Sequence, residues 1–155
     1  MIVDDAETRS RLATALHVAR WVDEVAAGCP YPSVDSLVGV ADLAARTLTP
    51  AEVDEALSAH PRIGEKAGGL SRSEQAASAT DDPELVAAMA AGNRAYEDRF
   101  GRIFLIRAAG RSRPEILAEL HRRLALDEAA EAAEVADQLR QIALLRVRTL
   151  FEESA

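Results

Sequence analysis

The chain has 155 residues, 48% of them hydrophobic, which is enough for one domain with a buried core and no disulfide or metal staples. A formal net charge of -8 would repel a phosphate backbone, and no helix is basic enough to reverse that, so nucleic-acid binding is excluded. Apolar runs such as that at residues 103–106 are short and fall far below the roughly 20 residues of a membrane span.

The start, Met1-Ile2-Val3-Asp4-Asp5, lacks the basic and apolar blocks of a signal peptide. Leu12, Leu16, Ala19, Val22 and Ala26 recur at helical spacing, as do Val34, Val38, Ala41, Ala45 and Leu48. Between them lies an irregular segment, residues 28–32. It holds Cys29, which as a single cysteine cannot form an internal disulfide and fits a reducing cytoplasm. Thr49-Pro50-Ala51-Glu52 combines an N-cap, a first-turn proline and a capping-box glutamate. After a second irregular segment at residues 65–70, Ser71-Arg72-Ser73-Glu74 has capping-box spacing and predicts the start of a short helix.

Asp82-Pro83 opens a helix through Leu85, Met89 and Tyr96, which Gly101 stops. Residues 103–106 read as buried extended chain or helix, because a lone strand would have no ladder partner. Ser112-Arg113-Pro114-Glu115 begins a helix through Ile116, Leu117, Leu120 and Leu124, and Asp127 caps the last and longest one. The chain ends Glu152-Glu153-Ser154-Ala155, unlike a peroxisomal address. The expected fold is all-α, a single compact multi-helix domain over residues 1–155 of a cytoplasmic protein.

Histidines occur at 17, 60 and 121, with neither HExxH spacing nor a cysteine–histidine cluster, so no metal site is expected. No Gly-rich phosphate loop, nucleophile elbow or cofactor lysine is present, so no cofactor is expected either. His17 and His121 fall in charged helical patterns and read as solvated or structural. His60 ends a helix and precedes Pro61, which biases its backbone out of the helix. It either projects an imidazole from a fixed corner or neutralises the helix dipole. Glu74 either folds back on its own N-cap or shares a helix start whose free amides suit a bound carboxylate.

Arg146 continues the stripe Val135, Leu139, Ile142, Arg146, Leu150 and so faces inward, where it needs an acid, carbonyls or an anionic ligand. A structural ion pair with Glu74 or another acid serves as well as a ligand. Arg99, Arg102, Arg107, Arg111 and Arg113 share a stretch with no Asp or Glu. They either draw a small anion into a cleft or serve helix ends and surface pairs.

Taken in order, these segments resemble the family of 2-oxo-4-hydroxy-4-carboxy-5-ureidoimidazoline (OHCU) decarboxylases, which complete the conversion of urate to (S)-allantoin. The motifs that carry the likeness are His60-Pro61, Ser71 to Gln75, Phe100-Gly101, Phe104-Leu105-Ile106, Gly110-Arg111-Ser112 ahead of Glu115-Ile116-Leu117, Arg123-Leu124, and Arg146. They run through nearly the whole chain, and their shared order weighs more than any single motif. Three departures stand out: the loop from His60 to Ser71 is shorter than in many relatives, Cys29-Pro30-Tyr31 stands where Arg-Pro-Phe is frequent, and Leu126 replaces an asparagine.

The resemblance implies a cofactor-free enzyme, commonly a homodimer, acting on a small ureidoimidazoline. His60, Glu74 and Arg146 would be catalytic. Pro61, Ser71, Arg72, Ser73, Glu74, Gln75, Phe104, Leu105, Ile106, Arg107, Ala108 and Arg146 would surround the substrate. The implied substrate carries its carboxylate beside a C=N bond, an internal sink for the electrons left by carbon dioxide. His60 would then supply a proton, Glu74 orient hydroxyl or ureido N–H groups, Gln75 bond the amide-like edge, and Arg146 hold an oxygen. Two other readings stay open from the residues themselves: a non-catalytic helical interaction module, and an enzyme of the same fold acting on another ureide.

Overall fold

The computed structural model describes residues 1–65 and 68–152. Among these residues there are eight α-helices and one short 3-10 turn, and pairing outside helices is limited to an isolated antiparallel bridge between Ile2 and Tyr31. The fold is all-α, as expected. No described helix is long and apolar enough to cross a membrane. The chain divides into two compact units, Met1–Ala59 with the chain from Ala136 onward, and His60–Val135.

In the first unit, Asp5 caps α1 (Ala6–Ala15) by accepting from the Thr8 N–H at 2.8 Å. The apolar stripe expected through Ala26 is split, because Leu16 and Val18 are extended and α2 (Ala19–Ala27) starts afresh. Both residues are buried in the break, while His17 between them is exposed. The first N–H of α2 is satisfied from a distance, Ala19 donating to Glu55 Oε2 at 2.9 Å. Trp21 anchors α2 in the core and donates from its indole to the Ala41 carbonyl of α3 (Val34–Ala45). The expected Thr49–Glu52 capping box forms in both directions at the head of α4 (Pro50–Leu57). Glu52 also takes a two-pronged contact from Arg20, Nε to Oε2 at 2.8 Å and Nη2 to Oε1 at 3.1 Å.

The second unit contains α5 (Gly69–Glu74), a 3-10 turn (Ala76–Ser78), α6 (Pro83–Phe100), α7 (Arg113–Leu124) and the opening turns of α8 (Glu128–Glu152). Asp82, Ser112 and Asp127 each accept a first-turn N–H, and Gly101 ends α6 in the left-handed conformation at φ 71°, all as the sequence predicts. The capping box expected at Ser71–Glu74 does not form. Helix α5 begins three residues earlier, Gly68 is its N-cap with no side-chain bond, and Glu74 is its last residue. A serine and a glutamate three apart inside one helical turn have the same spacing as a box, so the pattern misplaced the start. The irregular segment expected at 65–70 is likewise shortened, since Gly69 and Leu70 are helical, and its Lys66 and Ala67 lie outside the described residues.

Helices α6 and α7 pack closely: a Cβ on Gly92 would sit 3.1 Å from the Leu120 methyls. The core of this unit gathers Ile63, Met89, Tyr96, Phe104, Ile106, Ile116 and Leu120. Residues 103–106 are neither helix nor strand, which removes the helix from the two expected outcomes, and Phe104, Leu105 and Ile106 are buried.

Candidate active site

His60 follows α4 after the turn Ser58-Ala59 and is not itself the last helical residue. It is half-buried, as is Pro61. The loop that continues from them is clamped three times. Arg62 forks onto Glu97 of α6, Nε to Oε2 at 2.8 Å and Nη2 to Oε1 at 2.6 Å. These bonds hold the Glu97 carboxyl below its ordinary pKa and raise that of the guanidinium. Asn93 Nδ2 donates to the carbonyl of buried Ile63 at 3.0 Å. Gly64, at φ +90°, donates its N–H to Gln75 Oε1 at 3.2 Å.

The last bond joins two of the expected site segments. It uses the acceptor end of Gln75 and leaves its Nε2 without a hydrogen bond among the described residues. Ser71, Glu74 and Gln75 are half-buried, whereas Arg72 and Ser73 are exposed. Since Glu74 ends α5, the positive dipole end once expected beside it is absent there, and its carboxylate has no amide nest at a helix start to share with a ligand.

Residues 104–108 are held from α7 and its approach. Arg123 Nη1 donates to the Leu105 carbonyl at 2.6 Å, and Arg111 Nε donates to the Arg107 carbonyl at 2.8 Å. Arg123 also gives Nη2 to the Tyr96 hydroxyl at 3.0 Å, and that hydroxyl donates to Glu131 Oε1. Burial and then the Glu131 contact push the Tyr96 phenol above its ordinary pKa, so it remains a donor. Tyr96, Arg123 and Glu131 are thus positioning residues that reasoning from the sequence did not single out. Arg123-Leu124 had been noted only as a motif, and nothing local shows that its guanidinium turns inward.

Arg146 lies on the part of α8 that belongs to the first unit. It is 6% exposed, as its stripe predicts, and Nη1 donates to the Thr14 carbonyl at 3.0 Å. His121 is exposed on α7. Among the described residues no group of three or more His, Cys, Asp or Glu is placed to hold a metal ion.

The family model described as OHCU decarboxylase matches residues 2–148. The chain belongs to that family. A solved crystal structure of an OHCU decarboxylase in the presence of (S)-allantoin is similar, with a TM-score of 0.80 and 26% identity, over 90% of this chain and 96% of that one. Among curated proteins no sequence matches. The activity expected from the motifs, cofactor-independent decarboxylation of OHCU in urate degradation, is the OHCU decarboxylase family's own, and this chain is an enzyme of that class.

Proposed function

We propose that this OHCU decarboxylase yields (S)-allantoin with His60 as its acid–base residue. The observation that carries the reading is the family match over residues 2–148, with His60-Pro61 leading into a loop clamped at Arg62, Ile63 and Gly64. A fixed loop suits the task, because a proton must reach one face of a planar carbanion from one direction. When the carbon–carbon bond to the carboxylate breaks, its electron pair passes into the adjacent C=N system and carbon dioxide departs. An imidazole with an unperturbed pKa near ~6.5 then delivers the proton that quenches the anion.

The other residues orient and shield. Gln75 offers its Nε2 donors to a ring carbonyl, since its Oε1 is taken up by Gly64. Glu74 accepts from hydroxyl or ureido N–H groups, while Pro61, Ser71, Arg72 and Ser73 complete that wall. Residues 104–108 lend backbone groups and exclude water, supported by Arg123 and Arg111. Arg146 holds an anionic or carbonyl oxygen through its planar fork. We also read the enzyme as a cytoplasmic homodimer working as one domain over residues 1–155. The common assembly of the family and the free thiol of Cys29 support this.

The test is to generate the labile urate-derived intermediate in place and follow the optical activity of the allantoin formed. The expected result is rapid formation of the S enantiomer. A rate and enantiomeric excess equal to the spontaneous reaction would defeat the proposal.

A further inference from the structure

Four of the five arginines in the acid-free stretch have partners. Arg99 Nη2 donates to the Leu126 carbonyl at 2.5 Å, and Arg102 lies 3.7 Å from Glu131. Arg107 and Arg111 donate to the carbonyls of Ala109 and Arg107. Arg113 differs. It is only 7% exposed, its Nε is enclosed with no hydrogen-bond partner, and no ion pair or hydrogen bond holds its guanidinium among the described residues. Burial alone lowers its pKa from the ordinary value. Arginine nevertheless keeps its proton in proteins, so the charge must be offset by an anion or carried at a cost to the fold.

The guanidinium lies on the wall of a pocket of ≈ 510 Å³. Gly64 leaves it room there, since a Cβ on that residue would stand 3.2 Å from Arg113 Nη1. Ile63, Val86, Met89 and Ala90 supply an apolar surface beside it. The remaining charges on the wall are Arg62, held by Glu97 and Glu65, with Arg94 and Asp98 exposed. These add to three acids and two bases, so the surroundings of Arg113 repel a multiply charged anion while a single negative charge is matched by the guanidinium. None of the residues assigned to the substrate lines this pocket, although Arg113, Gly64 and Glu65 also line a neighbouring one together with Arg72 and Gln75.

We propose that Arg113 anchors a second binding site, for a small organic monocarboxylate whose short apolar tail lies along Val86, Met89 and Ala90. A carboxylate satisfies the planar guanidinium through paired N–H donors, and a pocket of this size accepts such a ligand. The occupant packs on Ile63 and Gly64, three and four residues after His60.

The probe is hexanoate, with hexanol, inorganic phosphate and chloride as controls at constant ionic strength. The Arg113 Nε–H resonance is observed by ¹⁵N NMR and assigned through its loss in Arg113→Lys. Hexanoate should shift it saturably, and hexanoate should bind Arg113→Met about tenfold or more weakly than the wild type. If Arg113→Met does not fold, the wild-type resonance and the Arg113→Lys affinity carry the test. No shift with hexanoate would show that Arg113 only packs, and an equal response to hexanol or chloride would show that its charge selects nothing. A response to phosphate in place of hexanoate would overturn the carboxylate assignment.

Discussion

Arg123 Nη1 meets the Leu105 carbonyl at 2.6 Å and so fixes the buried start of residues 104–108 from 18 positions downstream. The same guanidinium lies over the Phe104 ring at 4.8 Å and bonds the Tyr96 hydroxyl. Arg123→Met should therefore leave a buried carbonyl unpaired and cost about 3–5 kcal/mol, the range for breaking a buried polar network. Urea unfolding measures it. A loss below about 1 kcal/mol would mean that the segment holds itself.

His60→Asn should fold with near-native stability, because the clamps on the loop use Arg62, Ile63 and Gly64. Asparagine cannot exchange a proton near neutral pH, so stereospecific turnover should fall by about 10²–10⁴. Near-native turnover in a folded variant would remove His60 from the acid–base role.

What the sequence revealed was mostly local. Thr49, Asp82, Ser112 and Asp127 could be read as helix starts because a cap bonds within three residues of itself. The inward face of Arg146 was equally plain from the stripe of α8. The break at residues 16–18 was not, since the apolar spacing carries on across it and the group that satisfies the Ala19 N–H is Glu55, far along the chain. Ser71–Glu74 failed for the opposite reason: a true local pattern fits the inside of a helix as well as its start. Arg113 looked like a helix-end arginine, and only packing distinguishes it from its four neighbours. The chemistry of His60 came from the resemblance, because a histidine before proline has several uses.

Glu52 gives a pH prediction. Its bonds from Arg20 and from the Thr49 N–H hold its pKa at about 2, below the ordinary carboxylate value. A depressed acid contributes its stability above the unfolded pKa near ~4.3 and loses it as pH falls toward the folded value. Glu52→Gln retains a capping-box partner but loses the charge that Arg20 meets. The variant should be less stable than the wild type at pH 7, and the gap should close between about pH 4.5 and pH 2. A gap that stays constant with pH would show that the carboxylate charge contributes nothing.

Arg146→Lys separates binding from folding. Lysine keeps the charge and one donor for the Thr14 carbonyl but lacks the fork. Stability should drop by about 1 kcal/mol, while apparent substrate affinity per folded molecule falls about tenfold or more. Thermal unfolding and KM measured on one preparation decide it. A large loss of stability with unchanged KM would make Arg146 a structural residue.

Gln75 allows the cleanest separation of support from chemistry, because its two ends have different work. Oε1 accepts the Gly64 N–H at 3.2 Å and steadies the loop after His60, while Nε2, which has no hydrogen bond among the described residues, is the end proposed for the substrate. Gln75→Glu preserves an acceptor of the same length for Gly64, so the loop and its left-handed glycine at φ +90° should stay in place. It replaces both Nε2 donors with a charged acceptor, which, if this end meets the substrate as proposed, should repel a carboxylate-bearing ligand and lower kcat/KM by about tenfold or more. Gln75→Met removes both ends, so it should lose activity and also speed amide exchange at Gly64. Comparing the two variants by exchange at Gly64 and by allantoin formation tests each end separately. Full activity in Gln75→Glu, with loss confined to Gln75→Met, would leave Gln75 as a support for the loop and take it out of substrate contact.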